Sequence, residues 1–236
     1  MQAYTIIWDF DGTILPLEPY DSEQSLLLHV LAQSGNEIPL QKRIVARIII
    51  FADRMEWIGK SFKRYYLWVL KGIHEDMIQE VSDHLAEKIS KTDRQALLRL
   101  KAEGHHMIIA SCGTLDLSER ILKIAGIDHC FETILGNRLR IENNIITGMD
   151  LRILSPADKP KAMHAMGIST DNTIVIGDGY TDLPLLDWAN FPVMLDRTGE
   201  KKDRYAKRNY HFISSIPEIF ELLGRPNLTR HTMSKK

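Results

Sequence analysis

Residues 4–13 read Tyr-Thr-Ile-Ile-Trp-Asp-Phe-Asp-Gly-Thr. The apolar run that ends at Trp8 predicts a short buried strand, and Gly12 breaks the pattern. Two carboxylates, Asp9 and Asp11, directly follow the strand, and residues two apart on an extended chain project to the same side. Ligands of parallel sheets bind beyond the carboxyl ends of the strands. The stretch therefore predicts both a central strand and a pair of acidic groups at its functional end.

Strand and helix patterns alternate along the second half of the chain. Short apolar runs predict strands, and the longer amphipathic stretches between them predict helices. This alternation predicts an α/β fold with a parallel sheet covered by helices on both faces. After the first strand, the predicted strands lie at 106–110, 131–135, 173–176 and 191–195, with a hairpin at 139–147.

Residues 21–90 carry only helical patterns and interrupt this alternation. We interpret them as an all-helical cap that is inserted after the first strand. The expected division is a core of residues 1–17 and 92–224, a helical cap of residues 18–91, and a polar tail of residues 225–236.

Composition excludes several classes of function. The 236 residues contain 30 Lys and Arg and 31 Asp and Glu, a formal net charge of -1, so no nucleic-acid partner is expected. The two cysteines, Cys112 and Cys130, are too few for a disulfide framework. Neither a signal peptide nor an apolar run of membrane-spanning length is present. The sequence predicts a cytoplasmic protein with no membrane partner, and it does not indicate an oligomeric state.

Two more carboxylates, Asp178 and Asp182, follow the strand predicted at 173–176. Together with Asp9 and Asp11 they would place four negative charges in one crevice. A divalent cation and a lysine would relieve their repulsion, and Mg²⁺ prefers oxygen ligands. The sequence therefore predicts a magnesium site at this end of the sheet.

Four motifs in this order resemble those of the haloacid dehalogenase superfamily. They are Asp9-Phe10-Asp11-Gly12-Thr13, Ser111, Lys159 and Gly177-Asp178-Gly179-Tyr180-Thr181-Asp182. The resemblance implies a Rossmann-like core and covers the chain except for its tail. It also implies an enzyme that hydrolyses phosphate monoesters with the help of Mg²⁺.

The resemblance further implies a role for each motif residue. Asp9 is the nucleophile that takes the phosphoryl group, and Asp11 protonates the leaving oxygen and then activates water. Ser111 binds a phosphate oxygen, and Lys159 neutralises charge on the phosphate and on Asp9. The implied metal-site residues are Asp9, Asp11 through its backbone carbonyl, Asp178 and Asp182.

The lysine of the third motif has two candidates, Lys159 and Lys161, near the start of one predicted helix. The family pattern has the form Lys-x-x-Ala-Leu, which favours Lys159. A proline at the first helical position, Pro160, also suits a boundary residue before it.

Within the superfamily the sequence most resembles the phosphoserine phosphatase-like group, which has a helical cap. The resemblance implies that the substrate, a small phosphorylated metabolite, contacts Glu18 and Tyr66 with its non-phosphate end, and Cys112 and Gly113 beside Ser111. That group uses a cap arginine where this chain has Tyr66, so the sequence favours an amine-bearing or hydroxylated ester over phosphoserine. A phosphomutase or phosphotransferase, or a phosphate-binding protein without activity, are the alternatives.

Two further features have simpler interpretations. The basic run at 201–208 is interpreted as a solvated face. The aromatic residues Trp57, Phe62, Tyr65, Tyr66 and Trp68 have a spacing that favours packing within the cap, with an aromatic binding platform as the alternative.

Overall fold

The computed structural model of the chain describes residues 3–17, 19–33, 38–55, 57–59 and 61–224. The strands are β1 (Thr5–Trp8), β2 (His106–Thr114), β3 (Thr133–Glu142), β4 (Ile145–Asp150), β5 (Thr173–Gly177), β6 (Phe191–Leu195) and β7 (His211–Ile213). The α-helices are α1 (Ser22–Gln33), α2 (Leu40–Arg54), α3 (Ser61–Leu70), α4 (Asp76–Ala86), α5 (Lys91–Ala102), α6 (Leu115–Ile124), α7 (Asp158–Ala165), α8 (Leu183–Trp188), α9 (Lys201–Arg204) and α10 (Ile219–Leu223).

The seven strands form one sheet in the order β4-β3-β2-β1-β5-β6-β7. Every neighbouring pair is parallel except the β3–β4 hairpin at one edge. In the centre, Thr5 of β1 lies between His106 of β2 and Thr173 of β5. The predicted α/β fold with a mostly parallel sheet is confirmed. Strand β7 escaped prediction because three residues are too short for a periodic pattern.

Helices α1 to α4 occupy the segment between β1 and α5, as the helical patterns predicted. Helix α1 packs against the other three, and α4 packs against α6 of the sheet layer. One apolar cluster runs from these helices into the sheet and includes Leu26, Tyr66, Ile78 and Ile109. The separation into a core and a cap domain stays a prediction. None of the helices in the described ranges has the length and apolar character needed to cross a bilayer.

Asn137 of β3 joins the end of β2 to the segment that follows β4. Its buried amide donates to the carbonyl oxygens of Cys112 at 2.8 Å and Ile153 at 3.0 Å. Its oxygen accepts from the backbone N–H groups of Arg152 at 2.9 Å and Ile153 at 3.1 Å. One side chain therefore satisfies four backbone groups, two of them on the buried residue Ile153, next to the predicted substrate residues.

We expect Asn137→Ala to lower the free energy of unfolding by about 2–4 kcal/mol, because buried backbone groups would lose their partners. Asn143→Gly is the control, since Asn143 is an exposed turn residue with a φ of 50° that glycine adopts easily. Urea unfolding of both variants measures the difference. Equal stability of the two variants would contradict this role of Asn137.

Candidate active site

The carboxyl ends of β1, β2 and β5 meet at a cavity of about 540 Å³. Parallel strands that are neighbours end at the same edge of the sheet, so residues distant in sequence converge there. The described residues that line the cavity include the predicted site residues Asp9, Asp11, Ser111, Cys112, Gly113 and Asp178. Helices α1, α2 and α3 supply part of the opposite wall, through Glu23, Gln24, Asp53, Arg54, Phe62 and Lys63.

Lys159 lies beneath the cavity floor and joins two of the predicted acids. Its Nζ donates to Asp9 Oδ1 and to Asp182 Oδ1, each at 2.6 Å, and the lysine is completely buried. Burial alone would favour the neutral amine, but the carboxylates of Asp182 and Asp9 raise the pKa of Lys159. Lys161 points outward and pairs with Asp158 instead. Of the two candidate lysines, the structure therefore brings Lys159 to the site.

The Asp178–Asp182 turn is fixed by its own carboxylate. Asp182 Oδ2 accepts from the backbone N–H groups of Asp178 at 2.9 Å and Gly179 at 3.1 Å. A side chain at Gly177 would meet Asp182, because an ideal Cβ there would lie 2.5 Å from its Cβ. The glycine thus lets the strand end approach the carboxylate closely.

Three buried acids in this region fit a divalent cation. Ligand oxygens of Asp9, Asp178 and Asp182 lie within 4.8 Å of one another. Burial and the neighbouring Asp182 raise the pKa values of Asp9 and Asp178, because both destabilise the charged carboxylates. A bound cation would offset this destabilisation. A Cβ at Gly12, whose φ is +85°, would lie 2.3 Å from Asp178 Oδ1, so glycine keeps this space open. The residues therefore suit Mg²⁺.

Asp11 directs its carboxylate toward the start of α1. Ser22 donates to it twice, from its backbone N–H at 2.8 Å to Oδ1 and from its hydroxyl at 2.9 Å to Oδ2. Burial raises the pKa of Asp11 to about 6, although the Ser22 hydrogen bonds oppose this shift. Such a group exchanges a proton near neutral pH, as a general acid and base must. Sequence reasoning missed Ser22, since no local pattern links it to Asp11.

The predicted residues of the second motif lie together at the end of β2. The Ser111 hydroxyl oxygen accepts from the backbone N–H of Gly113 at 2.9 Å, which holds Ser111 at the cavity. A Cβ at Gly113 would lie 3.1 Å from both Ser111 Oγ and Asp11 Oδ2. A side chain at position 113 would therefore crowd both of these polar atoms, and glycine avoids this.

Of the two residues predicted to contact the far end of the substrate, only Tyr66 lies in the described part of the chain. Glu18 lies outside the described residues. Tyr66 is completely buried and, among the described residues, is not part of the cavity lining. Its hydroxyl oxygen lies 3.2 Å from Thr114 Oγ1, within hydrogen-bond distance, and its ring stacks on Phe62 at 5.5 Å. The prediction that Tyr66 faces the substrate is wrong, because the turn of α3 directs Lys63 rather than Tyr66 toward the cavity.

Glu23 and Lys63 form a buried pair in the cavity wall. Glu23 also accepts from the hydroxyl of Thr114 at the end of β2, so it connects α1, α3 and the sheet. Neither residue was singled out from the sequence. A lysine on an apolar helix is usually a solvated residue, and only the packing of α3 on α1 buries this one.

Lys201 corrects the interpretation of the basic run as a solvated face. Its Nζ donates to Asp178 Oδ2 at 2.8 Å and to the Leu195 carbonyl at 3.2 Å, and it lines the cavity. Asp196 holds this turn by accepting from the backbone N–H groups of Gly199, Lys201 and Lys202. An aspartate directly after a strand, followed by a glycine, is the signal that could have indicated an ordered turn.

We expect Lys159→Met to lower kcat/KM for phosphate-ester hydrolysis by about 10²–10³-fold, because it removes a fixed positive charge beside the reacting group. Lys161→Met is the matched control, since the Lys161 side chain is 75% exposed, and we expect at most about a twofold change. Steady-state kinetics of both variants measure the contrast. Equal losses in the two variants would contradict the placement of Lys159 in the site.

Cys112 should react slowly although it lines the cavity. Burial raises the pKa of its thiol to about 11, which lowers the thiolate fraction near neutral pH by on the order of a hundredfold. Alkylation by iodoacetamide, followed by mass spectrometry, should accelerate with pH up to about 11. Cys112→Ser identifies the modified site. Alkylation at pH 7 as fast as that of free cysteine would contradict this expectation.

Comparison with known proteins identifies relatives of this chain. It is 26% identical over 204 residues to a phosphoserine phosphatase from Archaeoglobus fulgidus, covering 84% of this chain and 54% of that protein. It is 26% identical over 198 residues to a phosphoserine phosphatase from Albidiferax ferrireducens, covering 80% of this chain and 76% of that protein. The chain thus spans about half the length of the archaeal relative.

Solved structures share the fold. A HAD family hydrolase from Salmonella enterica serovar Typhi has a TM-score of 0.70 at 20% identity, covering 94% of this chain and 72% of that one. A substrate-bound phosphoserine phosphatase has a TM-score of 0.67 at 16% identity, covering 94% and 98%. Residues 6–187 match the haloacid dehalogenase-like hydrolase family. This match spans most of the chain, so the chain belongs to the haloacid dehalogenase-like hydrolases, as its four motifs predicted.

Proposed function

We propose that this chain hydrolyses small phosphate monoesters in two steps at Asp9. The observation that carries the proposal is the convergence of Asp9, Lys159, Ser111 and Asp11 around one cavity at the ends of β1 and β2. A carboxylate nucleophile divides one difficult hydrolysis into two easier transfers. The phosphoserine phosphatases among the relatives support the same reaction class.

In the first step a carboxylate oxygen of Asp9 attacks phosphorus, and the bond to the leaving oxygen breaks. Lys159 contacts Oδ1 of Asp9, which leaves Oδ2 as the attacking atom. Asp11 gives its proton to the leaving oxygen, and Ser111 donates a hydrogen bond to a phosphoryl oxygen. In the second step Asp11 takes a proton from water, which attacks the aspartyl-phosphate and releases phosphate. Positioned proton transfer of this kind contributes about 10²–10⁴-fold.

Mg²⁺ would be held by the carboxylates of Asp9 and Asp178 and by the backbone carbonyl of Asp11. When bound, the ion offsets negative charge on the phosphoryl oxygens. Asp182 would support this arrangement from below, because its oxygens already hold Lys159 and the turn. The carboxylate of Asp11 remains with Ser22 and stays available for proton transfer.

The wall formed by the helices bears on the substrate class. It offers the cations Lys63 and Arg54 beside the carboxylates Asp21, Glu23 and Asp53. An ester whose far end carries both an ammonium and a carboxylate, as phosphoserine does, finds charges of both signs there. Tyr66 does not reach the cavity, so a tyrosine at that position gives no reason to exclude phosphoserine. We therefore propose a small amine-bearing ester and include phosphoserine among the substrates.

Asp9→Asn should abolish phosphate release, because the amide cannot accept the phosphoryl group, while the fold survives a nearly isosteric change. Asp11→Asn should lower kcat by about 10²–10⁴-fold, because proton transfer is lost. Phosphate release from phosphoserine, phosphoethanolamine and glycerol phosphate measures both effects and ranks the substrates.

Chelation by EDTA should stop the reaction in the wild type, and Mg²⁺ should restore it.

Steady phosphate release by folded Asp9→Asn protein would falsify the covalent mechanism. Transfer of phosphate to a second sugar without release of free phosphate would instead indicate a phosphomutase.

A further inference from the structure

An apolar stripe covers the outer face of α2. We define the α2 stripe as Leu40, Ile44, Ile48 and Phe51 of α2 together with Met55 directly after it, each of which is 45–68% exposed. At 3.6 residues per turn these five side chains fall within about 80° of the helix circumference. The opposite face packs inward through Ala46, Ile49 and Ile50. Helix α2 is therefore apolar on two faces, and only one of them is covered.

Trp57 extends this surface past the end of the helix. Its ring lies 5.9 Å from that of Phe51 in an edge-to-face contact, and the residue is 74% exposed. The sequence favoured packing of Trp57 within the cap, and that expectation is wrong. A contiguous row of exposed aliphatic and aromatic side chains is unusual on a free protein surface and marks an interaction site.

A row of arginines borders one edge of the stripe. Arg43, Arg47 and Arg54 lie within about 40° of one another on the helix circumference, directly beside the stripe. Residues 38–72 contain eight Lys and Arg but two Asp and Glu, a net charge of +6 in a chain whose total is -1. In the described part of this range the one acid is Asp53, and it accepts from Gln24 at 2.8 Å. Lys63 is buried against Glu23, so the exposed positive charge beside the stripe comes mainly from the arginine row.

We propose that the α2 stripe and its arginine row dock this chain on an anionic lipid surface. A helix that buries apolar side chains among acyl chains and keeps basic side chains at the headgroups is the form that lies in a membrane interface. Tryptophan and phenylalanine are common on the apolar face of helices that lie at this depth. The described helices are too short or too polar to span a membrane, and the total charge is near neutral. Neither fact opposes docking, because neither describes the local face of one helix.

Charge favours lipid over a second copy of the chain as the occupant. A symmetric dimer would bring the same face of two molecules together, so arginines would meet arginines with few acids to pair with. An anionic surface is instead complementary to the whole row. Arg54 belongs both to this row and to the cavity lining, so docking would place the cavity beside the lipid surface.

Flotation with lipid vesicles tests the proposal independently of any hydrolytic activity. The wild-type protein should float with vesicles of phosphatidylcholine and phosphatidylglycerol, but not with phosphatidylcholine alone. About 0.5 M salt should weaken the binding, because the Debye length falls to roughly 4 Å. Brominated lipids should quench the emission of Trp57, and Trp57→Phe should lose that quenching.

Two double variants separate the apolar and the charged contributions. Ile48→Ser with Phe51→Ser should lower the partition coefficient by at least about tenfold at any salt concentration. Arg43→Gln with Arg47→Gln should lower it by about tenfold at low salt and little at high salt. The matched control is Ile124→Ser with Lys123→Gln on the exposed face of α6, which should bind like the wild type.

All variants should keep the wild-type far-UV spectrum and thermal midpoint, which shows that they fold. No flotation of the wild type, or equal flotation with neutral vesicles, would overturn the proposal. A dimer in light scattering that Ile48→Ser with Phe51→Ser dissociates, without vesicle binding, would assign the stripe to a second copy instead.

Discussion

The Lys159 ammonium between Asp9 and Asp182 is the interaction on which the rest of the site depends. A fully buried charge is costly unless partners compensate it, and here two carboxylates do so at 2.6 Å. The three residues come from α7, the end of β1 and the turn after β5. They meet only because β1 and β5 are neighbours in the sheet and α7 packs beside them. The buried ion triple therefore depends on the sheet order.

The close packing around the carboxylates explains the glycines of the motifs. At Gly12 and Gly177 a side chain would overlap the carboxylates of Asp178 and Asp182. Carboxylates at such short range repel one another and lose hydration, so the site needs compensating positive charge on several sides. Lys159 supplies it from below and Lys201 from the rim, and the remaining negative charge suits a divalent cation. Dense packing and a cation requirement are thus two consequences of one arrangement.

Helix α1 connects the chemistry to the cavity wall. Its first residue, Ser22, holds both oxygens of Asp11, and the next residue, Glu23, binds Thr114 and Lys63. A shift of α1 would therefore move the acid–base group and the wall facing the substrate together. The position of α1 therefore affects both substrate binding and proton transfer. Binding of the far end of the substrate is in this way coupled to the position of Asp11 at the reacting bond.

The sequence alone determined the features that depend on neighbouring residues. An apolar run followed by Asp9 and Asp11 indicates a strand with acids at its end, and periodic helices indicate the block before α5. The order of the four motifs then fixed the family and the expected positions of Ser111 and Asp178. Each of these signals is contained in a stretch of a few residues, so local propensity and spacing suffice to reveal it.

Only the tertiary structure decided which way side chains point across elements. It separated Lys159 from Lys161, buried Tyr66, and turned Lys63 and Lys201 toward the cavity. It also decided which of the two apolar faces of α2 is covered, since both have helical periodicity. These choices depend on which elements pack together. That packing is set by contacts between residues far apart in the chain, which no local pattern contains.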